Sequence, residues 1–272
     1  MQMLVDRRVF ESLSLEVIST TAVWGRDLLA FIFCGCGSQR NRWHIAIETN
    51  SNMDTNTFIN IGLIKTLYIN FRCCKIKDAV HLPIFVARNV GVAYCKRNVF
   101  EFPDGSKTGM FTVGFNRRCS TGYPSALKVQ GKIILHGTGI HAFGAGCDIS
   151  VGRNCILEIG DHFGCTGETK ISVSAKITIG KNNLWSYGCT IMDYDGHKIF
   201  DGESGLQINK PKEVVFGDNI WMGNGCTILK GSVIPSGCII AARSLISKPL
   251  SEENSIITSQ GKTLKSNIRW KA

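Results

Sequence analysis

The 272-residue chain carries 31 basic and 21 acidic side chains, a net charge of +10, and no run of the roughly 18 apolar residues that a membrane-spanning helix needs. Its apolar content is ordinary, and 29 glycines against six prolines suggest many tight corners rather than disordered linkers. The excess charge is confined to residues 65–118 (ten basic, three acidic) and 243–272 (six against two), while 119–242 is balanced at ten against ten. Such zones suit a phosphorylated small molecule or an anionic membrane surface. No nucleic-acid-binding motif accompanies them, so a nucleic-acid partner is not expected.

Residues 1–62 give no clear structural pattern. Their apolar stretch "LLAFIFCGCG" (28–37) is too short to span a bilayer, follows Arg26 and Asp27, and lies too far from the first residue for a secretory signal. The chain is therefore expected to be cytoplasmic. Its twelve cysteines then do not imply a disulfide framework. Cys34 and Cys36 form CxC and Cys73 and Cys74 are adjacent, neither of which is a paired CxxC zinc pattern.

Residues 63–118 mix basic and apolar side chains and are expected to form an irregular or partly helical cap. Lys65, Arg72, Lys75 and Lys77 are candidates for peripheral contact with an anionic membrane. The competing reading is a cap that only closes the end of whatever follows.

From residue 119 a repeat emerges. In "FGDNIWMGNGCTILKGSVIPSGCIIAARSLI" (216–246), Phe216, Met222, Ile228, Ile234, Ile240 and Ile246 recur every six residues. Small residues mostly follow four places on, at Ile220, Cys226, Ser232, Cys238 and Ser244. The same beat runs through Val173, Ile179, Trp185 and Ile191, with fragments at 151–155 and 159–163 separated by a two-residue slip. Neither an amphipathic helix nor a simple alternating strand has this period. It predicts an all-β solenoid over 119–248, with triangular coils, one short strand per side, and a large side chain pointing inward from each. Gly217 and Gly223 are expected to ease the turning backbone. Cys155, Cys189, Cys226 and Cys238 become small buried hydrophobes.

The beat fails after Ile191, and "MDYDGHKIFDGESGLQINKPKEVV" (192–215) intervenes. This predicts a loop, residues 192–213, extruded from one corner and carrying His197. Residues 249–272 are read as a C-terminal tail.

The tracts "NLWSYGCTIMDYDGHKI" (183–199), "VVFGDNIWMGNGCTILKGSVIPSGCIIAARSLISK" (214–248) and "EENSII" (252–257) resemble hexapeptide-repeat acyltransferases, most closely the O-acetyltransferases of bacterial capsular and O-antigen polysaccharides. The stretch 63–92 resembles the lead-in of that subgroup. Met53, close to the start of this likeness, is a candidate native start. The resemblance implies a left-handed parallel β-helix, assembled as a homotrimer, that transfers acetyl from acetyl-CoA to a sugar hydroxyl without a metal. It implies His197 as general base. Its reference pKa of about 6.5 suits removal of a hydroxyl proton near neutral pH. Asp195 would orient the imidazole or bind the sugar; Asp193 is a sugar contact or a turn-former, and Tyr187 an acceptor contact. Trp221, Gly223, Ala241 and Ala242 match the acetyl-CoA groove, and Arg243, Lys248, Lys262 and Lys265 would meet its phosphates.

The chain departs from the subgroup at Pro235, at "IAARS" (240–244), where a glycine is usual in place of Arg243, and at "SQGK" (259–262), which replaces "GNPA". His136 and His141 have the spacing of two zinc ligands in β-helical carbonic anhydrases, but no third histidine falls in place. N-acetylation of a nucleotide-linked amino sugar, acetylation of a small acceptor such as serine, and a non-catalytic assembly scaffold are the alternatives.

Overall fold

In the computed structural model of the chain, residues 60–115 and 123–271 are described. The expectations for residues 1–59, including Met53, Cys34, Cys36 and the apolar stretch 28–37, lie outside the described residues.

Among the described residues two short helices, α1 (Leu63–Cys73) and α2 (Ile76–Ala79), precede twenty-two short strands, β1 (Ile84–Val86) to β22 (Lys262–Lys265). As far as β20, successive strands go to three different sheets, and every third strand pairs in parallel with the last. Sheet 1 runs β1, β4 (Phe111–Phe115), β7 (His141–Gly144), β10 (Phe163–Cys165), β13 (Asn183–Trp185), β16 (Trp221–Met222), β19 (Ile239–Ile240), β21 (Ile256–Thr258) and β22. Sheet 2 runs β2 (Gly91–Ala93), β5 (Ala126–Val129), β8 (Asp148–Val151), β11 (Lys170–Val173), β14 (Thr190–Met192), β17 (Thr227–Ile228) and β20 (Leu245–Ile246). Sheet 3 runs β18 (Val233–Ile234), β15 (Val214–Phe216), β12 (Lys176–Ile179), β9 (Ile156–Ile159), β6 (Lys132–Leu135) and β3 (Phe100–Glu101). This is a three-sided parallel β-helix, as the six-residue beat requires.

Every residue on the beat from Val173 to Ile246 is at most 2% exposed, and Ile220, Cys226, Ser232, Cys238 and Ser244 fill the corners behind them. Aromatic rings stack along the axis from coil to coil. Phe111, Phe143, Phe163, Trp185 and Phe216 have successive centroid separations of 5.2, 4.9, 4.9 and 4.7 Å. Trp185 is thus a core residue.

The coils begin earlier than the repeat disclosed. β1 to β4 (Phe111–Phe115) already pair in register with later coils, so residues 84–115 belong to the solenoid and only the helices cap it. The beat hid them because early coils are longer. Met222 pairs with Ile240, an 18-residue step, whereas Leu127 pairs with Ile149 and Ile149 with Ile171, steps of 22.

Both ends of sheet 1 are closed. At one end the α1 side chains cover the edge of β1. The Ile84 N–H donates to Asn70 Oδ1 (3.0 Å), Asn70 Nδ2 donates to the Ile84 carbonyl (2.7 Å), and the Val86 N–H donates to Thr66 Oγ1 (3.2 Å). At the other, β22 turns back antiparallel on β21 (Ile256–Thr258). Unpaired edges invite pairing with other chains, and both devices prevent it.

The glycines beside the beat act differently from expectation. Gly217 and Gly223 are not in the left-handed region; a Cβ at Gly223 would sit 2.6 Å from the Ala242 nitrogen, so close approach of coils is what requires glycine. The left-handed corner slot falls instead at Asn219, Gly225, Gly231, Gly237 and Arg243, again six apart, with φ of 55°, 68°, 77°, 75° and 58°. Arg243 therefore holds a glycine-favouring conformation, which is the physical content of the "IAARS" departure.

Candidate active site

The loop leaves the solenoid after β14 (Thr190–Met192) and returns at β15 (Val214–Phe216), at the corner between sheets 2 and 3. Its neck is closed by the Lys212 N–H donating to the Asp193 carbonyl (3.0 Å). Beyond the neck it forms a small antiparallel arm. Phe200 bridges Gln207, the Ile208 N–H donates to the Ile199 carbonyl (2.9 Å), and Asp201 Oδ1 accepts from the Ser204 N–H (2.8 Å) in the turn.

Asn209, 6% exposed, fastens the arm to the catalytic-candidate segment. Its Nδ2 donates to the His197 carbonyl (2.6 Å) and to Asp195 Oδ2 (2.9 Å), and its Oδ1 accepts from the Ile199 N–H (2.7 Å). Asp195 also pairs with Lys230 on the next coil. That ammonium, followed by Asn209, holds the Asp195 carboxyl below the usual carboxylate range. Sequence reasoning missed Asn209 and Lys230, since neither sits in a motif and both become legible only once the loop is closed.

The imidazole of His197 is exposed and has no hydrogen-bond partner among the described residues; its position is set through its backbone. Asp195 does not orient the ring. Its Oδ2 accepts from both Lys230 and Asn209 and no hydrogen bond joins it to the imidazole, so it braces the loop. Asp193 is also corrected from a sugar contact. It is fully buried, with Oδ1 and Oδ2 accepting from the Ser174 and Ala175 N–H groups at 2.7 Å each, and so pins the loop's root to the preceding coil. Burial raises its pKa, against the opposing pull of these amides.

The other candidates gather elsewhere on the chain. Tyr187, 40% exposed, and Ala241, Ala242 and Arg243 lie at the corner between sheets 1 and 2. Gly223 shares this corner and Trp221 lies on sheet 1 beside it, 43% exposed, in tilted contact with Trp270 at 6.1 Å. The 3₁₀ turn Ser259–Gly261 packs against the same corner, with Ser259 Oγ donating to the Arg243 carbonyl (3.4 Å). It sets Gly261 beside Lys248, and Lys262 follows directly on. Lys265 lies on the same strand as Lys262. These four cations are exposed and make no ion pair among the described residues. His197 and Arg243 thus occupy different corners of one prism, whereas Lys248, one 18-residue coil step beyond Lys230, follows the sheet 2 strand Leu245–Ile246 at the same corner as the loop.

The remaining histidines do not converge. His136 Nε2 pairs with Glu158 (2.9 Å), His162 Nδ1 with Asp161 (3.0 Å), and His141 is buried with neither ring nitrogen partnered. Among the described residues no group of three or more His, Cys, Asp or Glu side chains is placed to hold a metal.

Over 114 residues the chain is 34% identical to a polysialic acid O-acetyltransferase of Neisseria meningitidis, covering 38% of this chain and 51% of the relative. A second, from Escherichia coli O1:K1 / APEC, is 28% identical over 100 residues, covering 37% and 33%. The chain is similar to polysialic acid O-acetyltransferases. It spans about half the length of the first and a third of the second. No protein-family profile matches it. Among solved structures, the polySia-specific acetyltransferase NeuO aligns over 67% of this chain and 87% of its own at 19% identity and a TM-score of 0.41. The polysialic acid O-acetyltransferase OatWY aligns over 68% and 88% at 23% identity and 0.41.

Proposed function

We propose that the chain is an acetyl-CoA-dependent O-acetyltransferase that modifies a sugar hydroxyl of a bacterial surface polysaccharide, of which polysialic acid is the first candidate. The observation that carries this reading is His197, an unpartnered, exposed imidazole on a braced arm where the repeat breaks, in a chain similar to two polysialic acid O-acetyltransferases.

In this reaction the His197 imidazole takes the proton of the sugar hydroxyl as its oxygen attacks the thioester carbon. The negative charge moves to the carbonyl oxygen, where backbone N–H groups of a coil corner can stabilise it. Collapse of the tetrahedral intermediate breaks the C–S bond and gives the acetyl ester. The imidazolium returns its proton to the departing thiolate.

Because His197 lies at a different corner from Trp221, Gly223 and Arg243, one chain alone does not bring them together. A second copy, placing its own groove against this arm, would complete it, and three copies around an axis would complete three. The arm has the surface for such a contact, with Ile199, Phe200, Leu206 and Ile208 all at least half exposed. The coenzyme A phosphates would then meet Arg243, Lys248, Lys262 and Lys265, and Trp221 and Gly223 would flank the pantetheine arm.

Labelled acetyl-CoA supplied with polysialic acid, a nucleotide-linked amino sugar and free serine tests the reading. Base-labile label on polysialic acid is the expected result. Label on the amino sugar alone would overturn O-acetylation.

A further inference from the structure

At the N-terminal end of the solenoid, α1 turns Thr66, Ile69, Asn70 and Cys73 inward and leaves Ile64, Tyr68 and Phe71 84%, 53% and 54% exposed. These three follow the spacing of one helical face, and Ile76 of α2, 69% exposed, continues the apolar surface. Cations interleave with it. Arg72, Lys75 and Arg97 line a groove of about 420 Å³ together with Phe71 and Ile76.

The nearby acids do not neutralise these cations. Glu101 is paired with Lys132, Asp104 with Lys77, and Asp78 is buried and accepts from Ser106 Oγ at 3.3 Å. Two of the four cations expected from sequence drop out, since Lys77 has its acid and Lys65 Nζ donates to the carbonyls of Arg88 and Val90. Arg72 and Lys75 remain and Arg97 joins them, with no carboxylate within 4.0 Å among the described residues.

A soluble polyanion would use the cations and leave four large apolar side chains in water. A lipid headgroup region accepts both, with aromatic and aliphatic groups entering at the acyl boundary while Arg and Lys meet phosphates. We propose that this end of the protein docks on an anionic lipid bilayer, with Ile64, Tyr68, Phe71 and Ile76 at the interface and Arg72, Lys75 and Arg97 on lipid phosphates. The proposal is independent of the acetyl-transfer reading.

Co-sedimentation of the full chain with phosphatidylcholine vesicles, with and without phosphatidylglycerol, tests it. The chain is expected to bind the mixed vesicles, weaken at high salt, and bind phosphatidylcholine alone poorly. Lys75→Glu with Arg97→Glu should lower vesicle affinity by about 30-fold or more, and Phe71→Ser with Ile76→Ser by at least about tenfold. The charge variant alters exposed side chains only, so it keeps the test decisive should the apolar variant misfold.

Failure of the unaltered chain to bind mixed vesicles, or unchanged binding by the folded charge variant, overturns the proposal. So does charge-dependent binding of dextran sulfate without vesicle binding, which would make this a polyanion site. Dissociation of a homo-oligomer by Phe71→Ser and Ile76→Ser in lipid-free buffer would make it an interface between copies.

Discussion

Replacing Asn209 by alanine removes the three hydrogen bonds that join the arm of the loop to Asp195, His197 and Ile199. Each such bond contributes about 1 kcal/mol net, so the closed loop loses about 3 kcal/mol relative to its opened forms. At 1.4 kcal/mol per factor of ten, the opening equilibrium rises about 100-fold. The coils do not depend on this residue, so global unfolding should be little affected. Hydrogen exchange reads the effect directly, with the Ile199 amide of Asn209→Ala exchanging about 100-fold faster while amides of β15 to β19 (Ile239–Ile240) keep their protection. Acetyl transfer should fall in parallel, because His197 is placed only through its backbone. Unchanged exchange at Ile199 would refute the reasoning that Asn209 holds the loop.

Two further substitutions probe the scaffold. Asp193→Ala removes a buried carboxylate that accepts two backbone N–H groups. Denaturant unfolding should show a loss of about 2–4 kcal/mol, with a loss under about 0.5 kcal/mol contradicting the pinning role. His141 is buried, and burial lowers its pKa to about 4, opposed by the charge of Asp161 and the backbone of His136 and assisted by the charges of His162 and His136. Between pH 6.5 and 4 the unfolded chain therefore binds the proton that the folded chain refuses. Stability is full above about pH 6.5, falls as the solution is acidified through this window, and levels off below it, for a total of about 3 kcal/mol. His141→Phe should flatten the dependence of melting temperature on pH over that range; an unaltered slope would assign it to other groups.

The solenoid was legible because its physics repeats. One inward side chain per strand and one left-handed corner residue impose a six-residue period, and Phe216 to Ile246 keep it without a slip. The coils formed by residues 84–115 escaped because longer corners break the period, although their inward residues Ile84, Phe100 and Phe111 are as buried as any later ones. The loop was legible through the same rule, as the place where the rule fails. Its internal wiring was not. The Asp193, Asp195 and His197 of one short motif have separate fates, one buried in a corner, one paired across to Lys230 and one left free. Side chains this close in sequence diverge according to which coil lies beside them, and nothing in the motif states that. Asn70 shows the converse, a polar residue in an apolar helix that reads as a surface position yet serves as the pairing partner of an edge strand.

The central claim is that His197 takes the hydroxyl proton in acetyl transfer. Its most direct test is the turnover of His197→Asn against the unaltered chain, with acetyl-CoA and polysialic acid both saturating and acetyl-CoA affinity measured separately. A positioned general base contributes about 10² to 10⁴ in rate, so kcat should fall by at least about 100-fold while the affinity for acetyl-CoA stays the same. Turnover equal to that of the unaltered chain would contradict the account.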